Sequence, residues 1–157
     1  MTTYTYDSAT GNLNSVKDPL GRITTYSEYD LDGHVGKIVL PNAVEIHFTY
    51  TPRGWIETRK VVAGGAVRLT KYAYDNVGQL IKVTFPDTTS IGYTYDGAHR
   101  LTDITDTNGN KIHYDLDSMG NRIGESVSDP GGALARKITR IFNDMNRLDS
   151  ATGEGQQ

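Results

Sequence analysis

The chain is 157 residues long, 36% hydrophobic and 22% charged, which fits one ordinary domain on the polar side of the globular range and excludes a deep conventional core. Sixteen basic and nineteen acidic residues interleave to a net charge of −3, which argues against nucleic acid and anionic lipid as partners. Cysteine is absent, so disulfides and thiolate metal sites are excluded, and no run of about 18 apolar residues is present to span a membrane.

The opening stretch MTTYTYDSATGN has neither the basic nor the apolar region of an export signal, so none is expected in this chain. From Tyr4 onward the sequence repeats. YTYDSATGNL at 4 is followed by SEYDLDGHV at 27, FTYTPRGWI at 48, YAYDNVGQL at 72, YTYDGAHRL at 93, YDLDSMGNRI at 114 and RIFNDMNRL at 140. The first aromatic column holds Tyr4, Tyr72 and Tyr93, with Ser27 and Arg140 departing from it. The second holds Tyr6, Tyr29, Tyr50, Tyr74 and Tyr95, then Leu116 and Phe142. An acidic or amide column follows at Asp7, Asp30, Asp75, Asp96, Asp117 and Asn143, with Thr51 the exception.

A few residues on comes Gly11, Gly33, Gly54, Gly78 or Gly120, replaced by His99 and Asn146 in two copies. Asp or Asn that accepts hydrogen bonds from its own turn, followed by a residue tolerant of positive φ, is the chemistry of a tight β-turn. An apolar residue then opens a second strand at Leu13, Val35, Ile56, Leu80, Leu101, Ile123 or Leu148. In four copies another apolar residue stands three positions later, at Val16, Ile38, Val83 and Ile104, an interval that predicts a bulge or a strand covered on both faces. A further turn signal closes each complete unit, from DPLG at 18 to DPGG at 129.

The prediction is an all-β chain of tandem β-hairpin repeats in a curved, twisted antiparallel sheet of about thirteen strands. Residues 1–149 form seven units, the last incomplete, and 150–157 form a polar C-terminal tail.

The recurring Tyr-x-Tyr-Asp, Gly and Leu columns with their Asp-Pro-x-Gly or Pro-Asp turns resemble the YD repeats of the Rhs family, over roughly residues 4–149. The resemblance implies a segment of a spiral shell that encloses or presents a toxin or effector cargo, and a secreted or cell-surface setting. Members that release an effector carry a self-cleaving Asp-Pro-x-Gly-Leu motif. The nearest strings here, DPLGR from Asp18 to Arg22 and DPGGA from Asp129 to Ala133, depart from it and are read as turns.

Other chemistries are weaker on the same residues. Seven near-equivalent acidic turns have an economical structural cause, so they do not make the paired carboxylates of a glycosidase, and no enzyme is expected. DLDGH from Asp30 and DTNGN from Asp106 are only fragments of a calcium loop, so neither a metal nor a cofactor is expected. The expected partners are further YD repeats, or copies of the chain itself, joined through open sheet edges. The alternative is a cell-surface module binding carbohydrate or protein through exposed aromatic rings, with Trp55, the one Trp, as the candidate contact.

Overall fold

The computed structural model describes residues 1–155, and among them all regular structure is β-strand. The chain forms two compact units, Met1–Tyr72 and a second from Ala73 onward. In the first, β1 (Thr3–Tyr6), β2 (Leu13–Lys17), β3 (Ile23–Ser27), β4 (Lys37–Val39), β5 (Glu45–Tyr50), β6 (Ile56–Ala63) and β7 (Ala66–Tyr74) each pair antiparallel with the next. The last two residues of β7 belong to the second unit. There β8 (Leu80–Thr84), β9 (Ser90–Tyr95), β10 (Leu101–Asp106), β11 (Lys111–Leu116), β12 (Arg122–Ser128), β13 (Leu134–Phe142) and β14 (Leu148–Gly155) follow the same order without a crossover.

Fourteen strands are therefore described where about thirteen were expected, because the seventh unit is a full hairpin. The polar stretch from Ser150, which composition marks as a tail, continues as β14 to Gly155, pairing Ser150 with Ile141 and Gly155 with Arg136. A strand at a sheet edge is held by backbone hydrogen bonds, so it needs no apolar side chains of its own. Residues 156–157 of the expected tail lie outside the described residues.

Each unit carries one apolar row across its strands. In the first unit Tyr26 faces Ile38, which faces Ile46, then Val61 and finally Arg68. The second repeats the plan with Tyr93, Ile104, Ile112, Val127 and Arg136. The opposite face is polar, as in the series Thr94, Asp103, His113, Ser126, Lys137 and Glu154. With one sheet layer per unit, burial stays shallow, and Val83 and Tyr114, each 8% exposed, are the buried hydrophobic residues among those described. Order must therefore come largely from the backbone ladder and the turns.

Candidate functional site

The turns share one construction. At Asp18–Arg22 the Asp18 amide donates to the Arg22 carbonyl and the Gly21 amide donates back to Asp18; the same pair recurs at Asp75–Gln79, Asp96–Arg100, Asp117–Asn121 and Asn143–Arg147. The fourth residue has positive φ in each, as at Gly78 (93°), His99 (63°) and Asn146 (59°). This is a three-residue hairpin loop built on a type I turn and closed by a left-handed residue with a bulge. A separate bulge lies further along the ladder in the Tyr-Asp hairpins, between Leu101 and Asp103 for example, where Thr102 is an extra residue, whereas the ladder beside Asp18–Arg22 runs without a shift. That extra residue returns Leu101 and Ile104 to one face, which is the physical cause of the three-residue apolar interval. The connection from β6 to β7 differs, being a two-residue turn at Gly64 and Gly65 with φ of 55° and 81°.

The acidic side chain organises each turn. One carboxylate oxygen of Asp117 accepts from the amides of Met119 (2.9 Å) and Asn121 (2.8 Å), while the other accepts from the Asn121 side chain at 2.7 Å. Asp18 with Arg22, Asp30 with His34, Asp96 with Arg100 and Asp106 with Asn110 repeat the clamp. These contacts hold the carboxyls below their ordinary range. The leading cause is the partner side chain at Asp18, Asp106 and Asp117, and the backbone N–H four residues on at Asp30 and Asp96. Asp7, in a turn one residue longer, is lowered chiefly by the Thr10 amide. The residue four after the Asp is thus a second functional column. Its recurrence as Arg, His or Asn is the sequence signal for it.

The second tyrosine ties one hairpin to the hairpin before it. Tyr29 Oη donates to the Leu13 carbonyl at 2.8 Å, Tyr50 Oη to Val35 at 2.8 Å and Tyr95 Oη to Leu80 at 2.9 Å. Burial raises the pKa of all three phenols. The ring contacts of Tyr50 are with His34, stacked at 4.8 Å, and Phe48 at 6.4 Å, so the recurring partner of this column is a carbonyl and not another tyrosine. Tyr4 and Tyr6, on edge strand β1, are 57% and 62% exposed.

Copy six corrects the alignment. Arg122, not Ile123, faces Leu116 as Leu101 faces Tyr95, so an arginine stands in the apolar column. Its guanidinium carbon lies 3.6 Å from the centroid of the Tyr114 ring. Glu125 lies 3.6 Å from Arg122 and 3.4 Å from Arg140, the residue that replaces the first tyrosine of copy seven. The irregular positions of copies six and seven therefore compensate one another locally.

Trp55 is half-buried, with its backbone closing the Thr51 turn and the Arg53 guanidinium 5.3 Å above its ring. Asp30, Asp32 and His34 bring one ligand atom each within 4.8 Å of one another. Both Asp30 oxygens are already engaged, by the Asp32 and His34 amides and by the His34 ring. The arrangement does the work of a turn. Among the described residues no helix is long and apolar enough to cross a membrane.

Comparison with known proteins follows the same lines. The RHS Repeat family model matches residues 74–111 and 95–134. No curated protein matches the chain. Among solved structures, the TcdB2-TccC3-Cdc42 crystal structure matches with a TM-score of 0.82 at 16% identity, over 96% of this chain and 9% of that one. The pore form of the Photorhabdus luminescens Tc holotoxin matches with a TM-score of 0.79 at 20% identity, over 98% of this chain and 9% of that one. The chain thus shares their fold and spans about a tenth of their length.

Proposed function

We propose that this chain, whose residues 74–134 match the RHS Repeat family model, is a length of Rhs-type shell wall that encloses or presents a toxin or effector cargo and takes no part in catalysis. The observation that carries this reading is the tyrosine tie: Tyr29, Tyr50 and Tyr95 each join their hairpin to the one before. A bond that joins unit to unit in series builds wall, and its geometry repeats instead of converging on one atom. The acidic side chains most suggestive of chemistry are engaged in the turns that shape the hairpins, which leaves structural work as their role. The setting expected for such a wall is secreted or cell-surface.

Limited proteolysis of the chain within its full reading frame tests this. The polypeptide encoded beyond the repeats should resist protease while the hairpins are intact and become sensitive when residues 74–134 are replaced by a flexible linker of equal length. Equal cleavage of both forms, or a frame that encodes neither further repeats nor a cargo segment, overturns the proposal.

A further inference from the structure

The strands sort arginine and lysine by face. On β11 to β13 Leu116 faces Arg122, Tyr114 faces Glu125, Glu125 faces Ile138 and Val127 faces Arg136, so Arg122, Arg136 and Arg140 share the face of Tyr114 and the apolar row. Lys82, Lys111 and Lys137 stand on the other face, opposite Gly92, Ser128 and Ser126. The first unit sorts in the same way. There Arg59 and Arg68 lie opposite Phe48 and Val61, whereas Lys37, Lys60 and Lys71 face His47, Leu69 and Thr58. An ammonium is strongly hydrated and stays in water, while a guanidinium is planar, weakly hydrated and suited to carboxylates. Contact surfaces accordingly favour arginine with aromatic residues and are poor in lysine. The face with the apolar row therefore has the composition of a contact surface.

On β11 to β13 that face also lacks acceptors. Glu125 is its one acid, and a single carboxylate oxygen stands 3.6 Å from Arg122 and 3.4 Å from Arg140. Arg140 Nη1 is buried without a hydrogen-bond partner, and Arg136 is exposed, with no acid in ion-pair contact among the described residues. Three guanidiniums to one carboxylate leave the face short of negative charge.

We infer that this face of the second unit binds an extended acidic peptide segment, with a carboxylate, an apolar residue and a second carboxylate at alternate positions. Arg136, Ile138 and Arg140 are alternate residues of β13, so the two arginines lie about 13 Å apart along the strand with the isoleucine between them. An extended segment has the same spacing. Glu-x-Leu-x-Glu thus sets its acids on the two arginines and its leucine on Ile138. The apolar middle of the site and the chain's net charge of −3 favour such a peptide over nucleic acid.

Fluorescence anisotropy of a labelled peptide with the core Glu-Thr-Leu-Thr-Glu, titrated with the full chain, tests this. Binding should saturate, weaken as salt is raised, and weaken about tenfold in Arg136→Gln, whose exposed side chain can change without unfolding the strand. Lys137→Gln removes the same charge from the adjacent residue on the other face and should bind as the unaltered chain does. A peptide of the same composition with the core Glu-Glu-Leu-Thr-Thr should bind more weakly. No saturable binding, equal losses from Arg136→Gln and Lys137→Gln, no preference between the two peptides, or an oligothymidylate bound more tightly than either would each overturn the inference. None of these outcomes bears on protease protection of a cargo.

Discussion

Tyr95 reaches back to the preceding hairpin and donates its hydroxyl to the Leu80 carbonyl at 2.9 Å. Tyr95→Phe keeps the ring and deletes the donor, leaving a partly covered carbonyl without its partner. The expected loss is about 1 kcal/mol. In a chain of this length that lowers the melting temperature by roughly 2–4 °C. An unchanged melting curve would mean that water replaces the phenol at no cost.

Leu116 occupies the same column without a hydroxyl. Asp103 faces His113 as Lys82 faces Gly92 beside the Tyr95–Leu80 bond, so Leu116→Tyr has an acceptor in the Leu101 carbonyl. Thermal denaturation should show a gain of about the size that Tyr95→Phe loses. A drop would place the Leu101 carbonyl out of reach.

Backbone strain gives a second pair of opposed effects. Thr88 holds the left-handed position of the Phe85–Thr89 turn at φ 73°, where a β-branched side chain is disfavoured. Thr88→Gly should raise stability by about 1 kcal/mol, the left-handed penalty less the entropy glycine adds to the unfolded chain. Gly36 is the converse case. A Cβ there would collide with the Glu28 carbonyl oxygen, so Gly36→Ala must displace the irregular β3–β4 connection. Urea titration of both variants checks the opposite signs.

The repeats were legible because several columns recur together, and a turn that demands Asp at its start and a left-handed residue at its fourth position leaves that demand in the sequence. Copy six misleads because the apolar Ile123 stands next to the arginine that fills the column. Six residues from Leu116 gives Arg122, and the ladder obeys the count. The tail failed for a related reason, since SATGEG offers no apolar pattern while backbone pairing with β13 needs none. The tyrosine tie could not be read at all. A phenol bonded to a carbonyl some fifteen residues earlier is set by how two hairpins meet, and neither strand records it separately.

Arg122 now carries its own prediction. Its guanidinium covers the Tyr114 ring at 3.6 Å and stands 3.6 Å from Glu125. Arg122→Ala uncovers Tyr114, one of the two buried hydrophobic residues among those described, and removes the cation–π contact, at a cost of about 1 kcal/mol. Arg122→Leu restores the side-chain type of the other copies, covers the ring again and should cost less than half as much. Equal losses in the two variants would mean that the charge, through Glu125, matters more than the cover.

Acid should unfold the protein through its turns. Asp18, Asp30, Asp96, Asp106 and Asp117 all have folded pKa values below the ordinary Asp value of 3.8. Above that value both folded and unfolded states are ionised, so the contribution to stability is complete. As pH falls through it the unfolded chain binds protons first, and the contribution is lost as the pH drops on through the folded values. Melting temperature should therefore stay level from neutral pH down to about pH 5 and fall steeply below about pH 4. Asp117→Asn removes one titrating group and keeps an oxygen to accept the Met119 and Asn121 amides, so it should flatten the acid limb. It should do so with less loss at neutral pH than Asp117→Ala, which removes the acceptor altogether. A melting temperature that begins to fall near pH 6 would rule out the turn carboxylates as the cause of the acid transition.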